Sequence, residues 1–244
     1  MKNMNLPSVS VGFPVYNEEA TISEVLESSH RLLANSGLDY EILVCNDGST
    51  DRSPEKIREM VGRFPDIRVI NHPRNIGIHA SFEHLYKESR KDFIFVNASD
   101  RQWDTAIILK MLPLVRKCDI VIARRKKKNY GLWREFISWF FNMVPRALFG
   151  IHTFDAGAVK LMKREIIEKF TLVSKTPFSE AERLIRATRA GYRIIDYPVE
   201  TSPRRSGRSH GIRMGVLFGA MADVWRVWYA IYFRERSARA VKRV

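Results

Sequence analysis

Apolar and polar positions in the first half of this chain fall into blocks that recur with a regular alternation. Five short apolar runs, Ser8–Val15, Glu41–Cys45, Asp66–Ile70, Asp92–Val96 and Asp119–Ala123, each end in a cluster of turn-forming or charged residues. Short apolar runs stopped by Gly, Asn, Asp or Pro read as buried strands. Between them, apolar residues recur at helical spacing: Ile22, Val25, Leu26 and Leu33, then Ile57, Met60 and Val61, then Ala80, Phe82, Leu85 and Tyr86, then a stretch from about Thr105 to Val115. Thr21 is placed to cap the first of these helices. Ser49, Thr50 and Asp51 are placed to cap the second, with Pro54 tolerated in its first turn. Strands alternating with helices pair in parallel and are covered on both faces, which predicts an α/β fold with a mostly parallel, Rossmann-like sheet flanked by helices.

Each predicted strand leaves chemistry at its C-terminal end: Tyr16 and Glu18, Asp47, Arg74 and Asn75, Asp100, and Arg124. Parallel strands share a direction, so these tips fall along one edge of the sheet and form one cleft, the usual ligand position in open α/β sheets. Acids in a basic neighbourhood suit a nucleotide held partly through a divalent cation, Mg²⁺ or Mn²⁺, since those ions take oxygen ligands. His72 and His79 lie near this cleft, yet no two histidines have ligand spacing with an acid, which argues against zinc.

Charge and the second half of the chain change the picture. The 244 residues carry a formal charge of +14, which attracts polyanions of any kind. The basic residues cluster in Arg124–Lys128, in Arg204, Arg205 and Arg208, and in the tail Arg234 to Arg243, two of these beside aromatic-rich apolar stretches. That placement favours an anionic membrane surface over a nucleic-acid duplex. Leu132–Val144, broken by Pro145, and Met214–Phe233 are the aromatic stretches; neither reads as the run of about 20 apolar residues that spans a bilayer. Counted at about 100° per residue, Leu217, Phe218, Met221, Val224, Trp225, Trp228, Ile231 and Tyr232 form one face of the second, opposite Asp223, Arg226 and Arg234. This predicts an interfacial amphipathic helix; the alternatives are core packing and a homo-oligomer contact. Two cysteines, Cys45 and Cys118, sit in apolar runs and read as buried thiols in a reducing compartment. The N-terminus lacks the apolar core of a signal peptide, so a cytoplasmic location, peripheral to the membrane's cytoplasmic face, is expected. The expected organisation is one catalytic domain over residues 1–212, followed by an amphipathic helix and basic tail over 213–244.

The motifs FPVYNEE (13–19), CNDGSTD (45–51), RNIGIHAS (74–81) and ASDRQWD (98–104) resemble the nucleotide-sugar-binding half of the inverting glycosyltransferases of family 2, which have a GT-A fold. Residues 141–165, 190–200 and 204–209 resemble the dolichol-phosphate mannosyltransferase and polyprenyl-phosphate glycosyltransferase branch. The resemblance implies that Pro14, Tyr16, Glu18, Asn75, Gly77 and Ser99 line the donor site and that Asp47 contacts the nucleotide base. It implies that Asp100 holds the cation bridging the donor diphosphate, with Gln102 near that metal. Arg204 and Ser209 match a loop that closes on phosphate groups in relatives, with His210 in place of the usual lysine. Arg124 and Arg125 are candidates for an acceptor phosphate. Asp155, in TFDAG at 153–157, is a candidate for orienting sugar or acceptor.

The implied activity is transfer of a hexose from a nucleotide-diphosphate sugar to a polyprenyl phosphate at a membrane face. One departure stands out: the first acid of the family's Asp-x-Asp is Ala98, which predicts weaker metal binding. The alternatives are a hydroxyl acceptor on a glycan or lipid and a non-catalytic nucleotide-binding relative.

Overall fold

The computed structural model describes residues 7–99, 103–126, 143–151, 158–200 and 214–234. The chain forms two compact units. One comprises Met1–Lys128, Ala158–Lys169 and Tyr192–Arg208; the other comprises Asn129–Gly157, Phe170–Gly191 and Ser209–Val244.

The first unit is built on β1 (Val9–Val15), α1 (Ile22–Ala34), β2 (Tyr40–Asn46), α2 (Ser53–Arg63), β3 (Ile67–Asn71), α3 (Ile78–Glu88) and β4 (Phe93–Val96). It continues through α4 (Ile107–Met111), a 3₁₀ turn at Leu112–Arg116, β5 (Ile120–Arg125), β6 (Lys160–Lys163), α6 (Arg164–Lys169) and β7 (Ile194–Val199). Between β5 and β6 in chain order, residues 143–149 form α5, which belongs to the second unit. The seven strands form one sheet in the order β3-β2-β1-β4-β6-β5-β7. β1 pairs in parallel with β2 from Val9↔Tyr40 to Val15↔Asn46 and with β4 from Val9↔Phe93 to Gly12↔Val96. β6 runs antiparallel to both β4 and β5, and β5 is parallel to β7. All strands but β6 therefore point the same way, and the expected common edge of strand tips is present. β1 to β5 occupy the predicted positions. β6 was not predicted: Lys160-Leu-Met-Lys163 is too short and too lysine-flanked to look like a strand, although its first three residues are buried.

The strands are apolar on both faces because helices cover both. Val9, Val11, Phe13, Ile42, Val44, Ile94 and Phe95 are inaccessible to solvent. Right-handed crossovers put α1 and α2 on one side of the sheet, where they pack on each other, and the return from β3 to β4 puts α3 on the other, against α6. Pro14 sits in a central strand, where its missing N–H would ordinarily break a ladder. It faces the β4 side, beyond Gly12↔Val96, where that pairing has already ended. At the opposite end of the sheet a buried carboxylate does structural work. Glu41 accepts from Ser10 Oγ at 2.6 Å, the Arg90 N–H at 2.7 Å and Arg68 Nη1 at 2.8 Å. Burial pushes its pKa up, but these bonds outweigh that and hold it below the ordinary glutamate value.

The second unit contains α5, α7 (Ser179–Arg189) and α8 (Met214–Tyr229), which runs into a π turn at Ala230–Arg234. Its core gathers Phe149, Ile151, Phe178, Ala181, Ile185, Ala220, Val224, Val227 and Ile231. α8 is rotated from its expected orientation. Asp223, placed on the solvent side by the periodicity, is fully buried, whereas Phe218 and Trp225, placed on the same face as Val224 and Ile231, are exposed. Asp223 tolerates burial because its Oδ2 accepts the N–H groups of Lys175 and Thr176, each at 2.9 Å, and the Thr176 hydroxyl at 2.8 Å. Among the described residues, no helix is long and apolar enough to cross a membrane.

Candidate functional site

At the common edge of the first unit, the loops that follow β1 and β2 are zipped together by side chains of each onto the backbone of the other. The Asn17 N–H donates to Ser49 Oγ at 3.1 Å, and Asn17 Oδ1 accepts the Thr50 N–H at 2.8 Å. The Glu18 N–H donates to Ser53 Oγ, the Glu19 N–H to Asp51 Oδ2, and the Arg52 N–H to Glu19 Oε2. Asn17 adopts φ 54°, a left-handed conformation that asparagine tolerates better than most residues. Asp51 does not cap α2 in the expected way; the capping position is Arg52, and Asp51 Oδ1 accepts the Ser53 N–H in a local turn. Burial works against the Asp51 charge, yet bonds from Ser53 and from the Glu19 N–H lower its pKa below the ordinary aspartate value. Likewise Thr21 makes no side-chain cap on α1; its hydroxyl donates to the Ser99 carbonyl at 3.0 Å and so ties α1 to the end of β4.

The loop after β3 is fastened to the loop after β2 through Asp47. Its Oδ1 accepts the Ile76 N–H at 3.0 Å and its Oδ2 the Gly77 N–H at 2.9 Å, with Gly77 at φ 98°. The same Oδ1 meets His72 Nδ1 at 2.7 Å. Gly48 lies against the backbone of Arg74 and Asn75, so close that no side chain would fit. Ser99 donates its hydroxyl to the Pro14 carbonyl at 2.9 Å, closing β4's end onto β1.

The structure thus brings Tyr16, Glu18, Asp47, Asn75, Gly77 and Ser99 to adjoining loops of one edge, with Pro14 at the end of β1 beside them. Arg124 and Arg125 lie on β5, two strands away from β4 in the sheet. Arg124 pairs with Asp196 of β7, and the Arg125 guanidinium lies 5.1 Å from the centre of the buried Trp103 ring. Asp100, Gln102, Asp155, Arg204 and Ser209, and nearly all of the aromatic stretch Leu132–Val144, lie outside the described residues. Among the described residues no group of three His, Cys, Asp or Glu is arranged to hold a metal. Asn97, one residue before Ala98, spends its Nδ2 on the Trp103 carbonyl and Thr105 Oγ1, and among the described residues its buried Oδ1 has no hydrogen-bond partner. An amide oxygen here, with the Asp100 carboxylate and the Gln102 amide close in sequence, is a donor set that fits a hard divalent cation.

Comparison with known proteins gives the family. The profile of Glycosyl transferase family 2 matches residues 10–171, which takes in the zipped loops, Asp47 and the end of β4. The chain belongs to that family. Undecaprenyl-phosphate 4-deoxy-4-formamido-L-arabinose transferase of Pseudomonas aeruginosa is 30% identical over 173 residues, covering 69% of this chain and 50% of that protein. Dodecaprenyl-phosphate galacturonate synthase of Rhizobium johnstonii is 25% identical over 236 residues, covering 93% of this chain and 68% of that protein. The chain spans half the length of the Pseudomonas relative. Among solved structures, glucosyl-3-phosphoglycerate synthase from Mycobacterium tuberculosis, in complex with Mn²⁺, uridine diphosphate and glucosyl-3-phosphoglycerate, superposes with a TM-score of 0.68 at 16% identity. That match covers 92% of this chain and 79% of the other, and it shows the GT-A fold.

Two features of this family 2 site were not legible in the sequence. The partnership of Asp47 with His72 joins residues 25 positions apart, and His84, which extends it, sits on α3 with nothing in its spacing to mark it. The zipping of the first two loops uses Ser and Asn side chains that look like ordinary turn residues.

Proposed function

We propose that this chain is an inverting glycosyltransferase that moves a hexose from a nucleotide-diphosphate sugar to a polyprenyl phosphate at the cytoplasmic face of a membrane. The observation that carries this reading is the 30% identity over 173 residues to a protein named for transfer to undecaprenyl phosphate. In the reaction, a lipid phosphate oxygen attacks the anomeric carbon in line, and the bond to the nucleoside diphosphate breaks as the new one forms. That oxygen is already anionic near neutral pH, so no strong general base is required. Asp100 and Gln102, with Asn97 as a further oxygen, would hold Mg²⁺ or Mn²⁺, which would supply positive charge to offset that of the departing diphosphate.

The rest of the assignment follows the chain. Pro14, Tyr16, Glu18, Asn75, Gly77 and Ser99 hold the donor, and Asp47 takes its base. Arg204 and Ser209 close on phosphate, Arg124 and Arg125 receive the acceptor phosphate, and Asp155 orients sugar or acceptor. Arg124 is half-exposed beside Asp196, so an incoming phosphate exchanges one anion for another. The α8 aromatic face and the basic tail seat the protein on an anionic bilayer.

The test is incubation of the protein with uridine and guanosine diphosphate sugars, polyprenyl phosphate and Mg²⁺ or Mn²⁺, read by the mass of the lipid product. A lipid-linked hexose is expected, and Asp100→Ala should abolish it while leaving circular dichroism unchanged. Transfer that persists without polyprenyl phosphate would point to a hydroxyl acceptor. Nucleotide binding with no turnover would favour a non-catalytic role, which Ala98 makes worth testing.

A further inference from the structure

His72 is a buried imidazole with three neighbours. Its Nδ1 meets Asp47 Oδ1 at 2.7 Å, its Nε2 meets His84 Nδ1 at 2.8 Å, and the same Nε2 lies 3.5 Å from Cys45 Sγ. These groups come from the loop after β2, from α3 and from β2 respectively. A carboxylate only accepts, so His72 Nδ1 carries a proton toward Asp47. In the neutral ring Nε2 is then an acceptor, and His84 Nδ1 is the donor to it. His84 itself is exposed. The result is a continuous chain, Asp47–His72–His84, leading from a buried carboxylate to the surface.

The chain has one way to take up charge from solvent. A proton arriving at His84 Nε2 lets the proton on His84 Nδ1 pass to His72 Nε2, leaving His84 neutral in its other tautomer and His72 cationic beside Asp47. Cys45 does not compete for that proton. Burial, and the nearby Asp47 charge, push its thiol up to about 11 against a bond from Ser81, so it stays neutral across the working range. Asp47 already accepts two backbone N–H groups and one imidazole. A cationic His72 draws its remaining electron density inward and weakens it as an acceptor for anything else.

We propose that His72 and His84 are positioning residues for the nucleotide base, acting through Asp47, and that protonation at His84 weakens donor binding. The inference rests on the reading above that Asp47 contacts the base.

The experiment is calorimetric titration of the full chain with UDP and with GDP at pH 8 and pH 5.5, comparing wild type with His84→Asn and Asp47→Asn. His84 is exposed, so its replacement spares the core. For whichever nucleotide binds more tightly, the ratio of Kd at pH 5.5 to Kd at pH 8 is expected to be at least threefold larger in wild type than in His84→Asn. Equal ratios overturn the proposal. Asp47→Asn should weaken binding at pH 8; if it does not, the base contact is at fault. The relay is then judged by nitrogen NMR, where His72 Nε2 should gain its proton in step with titration of wild-type His84 and lose that step in His84→Asn. A His72 signal indifferent to the His84 substitution overturns the relay itself.

Discussion

Gly48 shows how closely backbone sets this site. It adopts φ 65°, and a Cβ there would lie 2.3 Å from the Arg74 carbonyl carbon and 2.5 Å from the Asn75 nitrogen. Backbone cannot swing aside as a side-chain tip can, so Gly48→Ala must move the loop after β3. The left-handed conformation alone costs a non-glycine residue about 1–2 kcal/mol, and overpacking adds about 1–3 kcal/mol. The expected loss is roughly 3 kcal/mol in a urea melt, with weakened nucleotide binding because Asp47 holds that loop through the Ile76 and Gly77 N–H groups. Glu41 gives a second residue-scale prediction, of stability against pH. Its folded pKa lies below the ordinary glutamate value, so its contribution is complete above that value and fades as pH falls through the lower, folded one. Glu41→Gln should therefore cost about 1–3 kcal/mol at pH 7, since it takes the charged acceptor from Ser10, the Arg90 N–H and the half-buried Arg68. The gap to wild type should narrow as pH drops below about 4; a constant gap from pH 7 to pH 3 would mean that the charge contributes nothing. Asp47, by contrast, was visible in the sequence as an acid at a strand tip, but its partners were not. Periodicity reports which face a residue takes and says nothing of which distant imidazole reaches it.

Elements divide in the same way. β1 to β5 and the helices between them were legible because a strand buried on both faces must be apolar throughout and must stop at turn residues. α8 was legible as a helix but not in its rotation, since it is apolar nearly all round and its one acid was taken for a solvent marker. The acid is instead part of an anchor for the segment before α7. Glu182, fully buried, accepts the N–H groups of Val173 and Ser174 and pairs with Arg186. Asp223 accepts those of the next two residues, Lys175 and Thr176. Two carboxylates on two helices thus satisfy four consecutive amides that no strand or helix pairs. Gly219, one turn before Asp223, leaves room for Thr176, whose methyl would lie 3.0 Å from a Cβ there. Asp223→Ala removes four bonds at once, three from Lys175 and Thr176 and one from Arg226 at 2.7 Å, and leaves buried donors without an acceptor, at about 1–3 kcal/mol for each group left unsatisfied. The expected result is faster amide exchange over 173–176 and along α8, with β1 to β4 unaffected; protection of α8 equal to wild type would show that apolar packing alone holds it.

At the scale of the whole molecule, two features bear on where it works: a formal charge of +14 and a row of exposed rings on α8. Phe218, Trp225, Tyr229 and Phe233 are 69%, 58%, 61% and 49% exposed and recur at helical spacing along one face. Trp225 lies 5.9 Å from Trp228, Trp228 5.2 Å from Phe233, and Tyr229 stacks on Phe233 with centroids 5.5 Å apart, so the rings from Trp225 to Phe233 are in contact with one another. Tryptophan and tyrosine favour the bilayer interface, where the ring is buried and the polar tip stays wet. Each basic side chain near an anionic surface adds about 1 kcal/mol, a term that salt screens within about 10 Å. The two contributions are separable. Binding to vesicles containing phosphatidylglycerol should weaken at least tenfold as salt rises from about 0.1 M to about 1 M, where the screening length shrinks to about 3 Å. Replacing Phe218, Trp225 and Tyr229 with serine should weaken binding at every salt concentration without changing the slope, because the rings act through burial and not through charge. If the triple variant keeps wild-type vesicle binding but runs at a smaller mass in light scattering, the aromatic face joins copies of this chain instead.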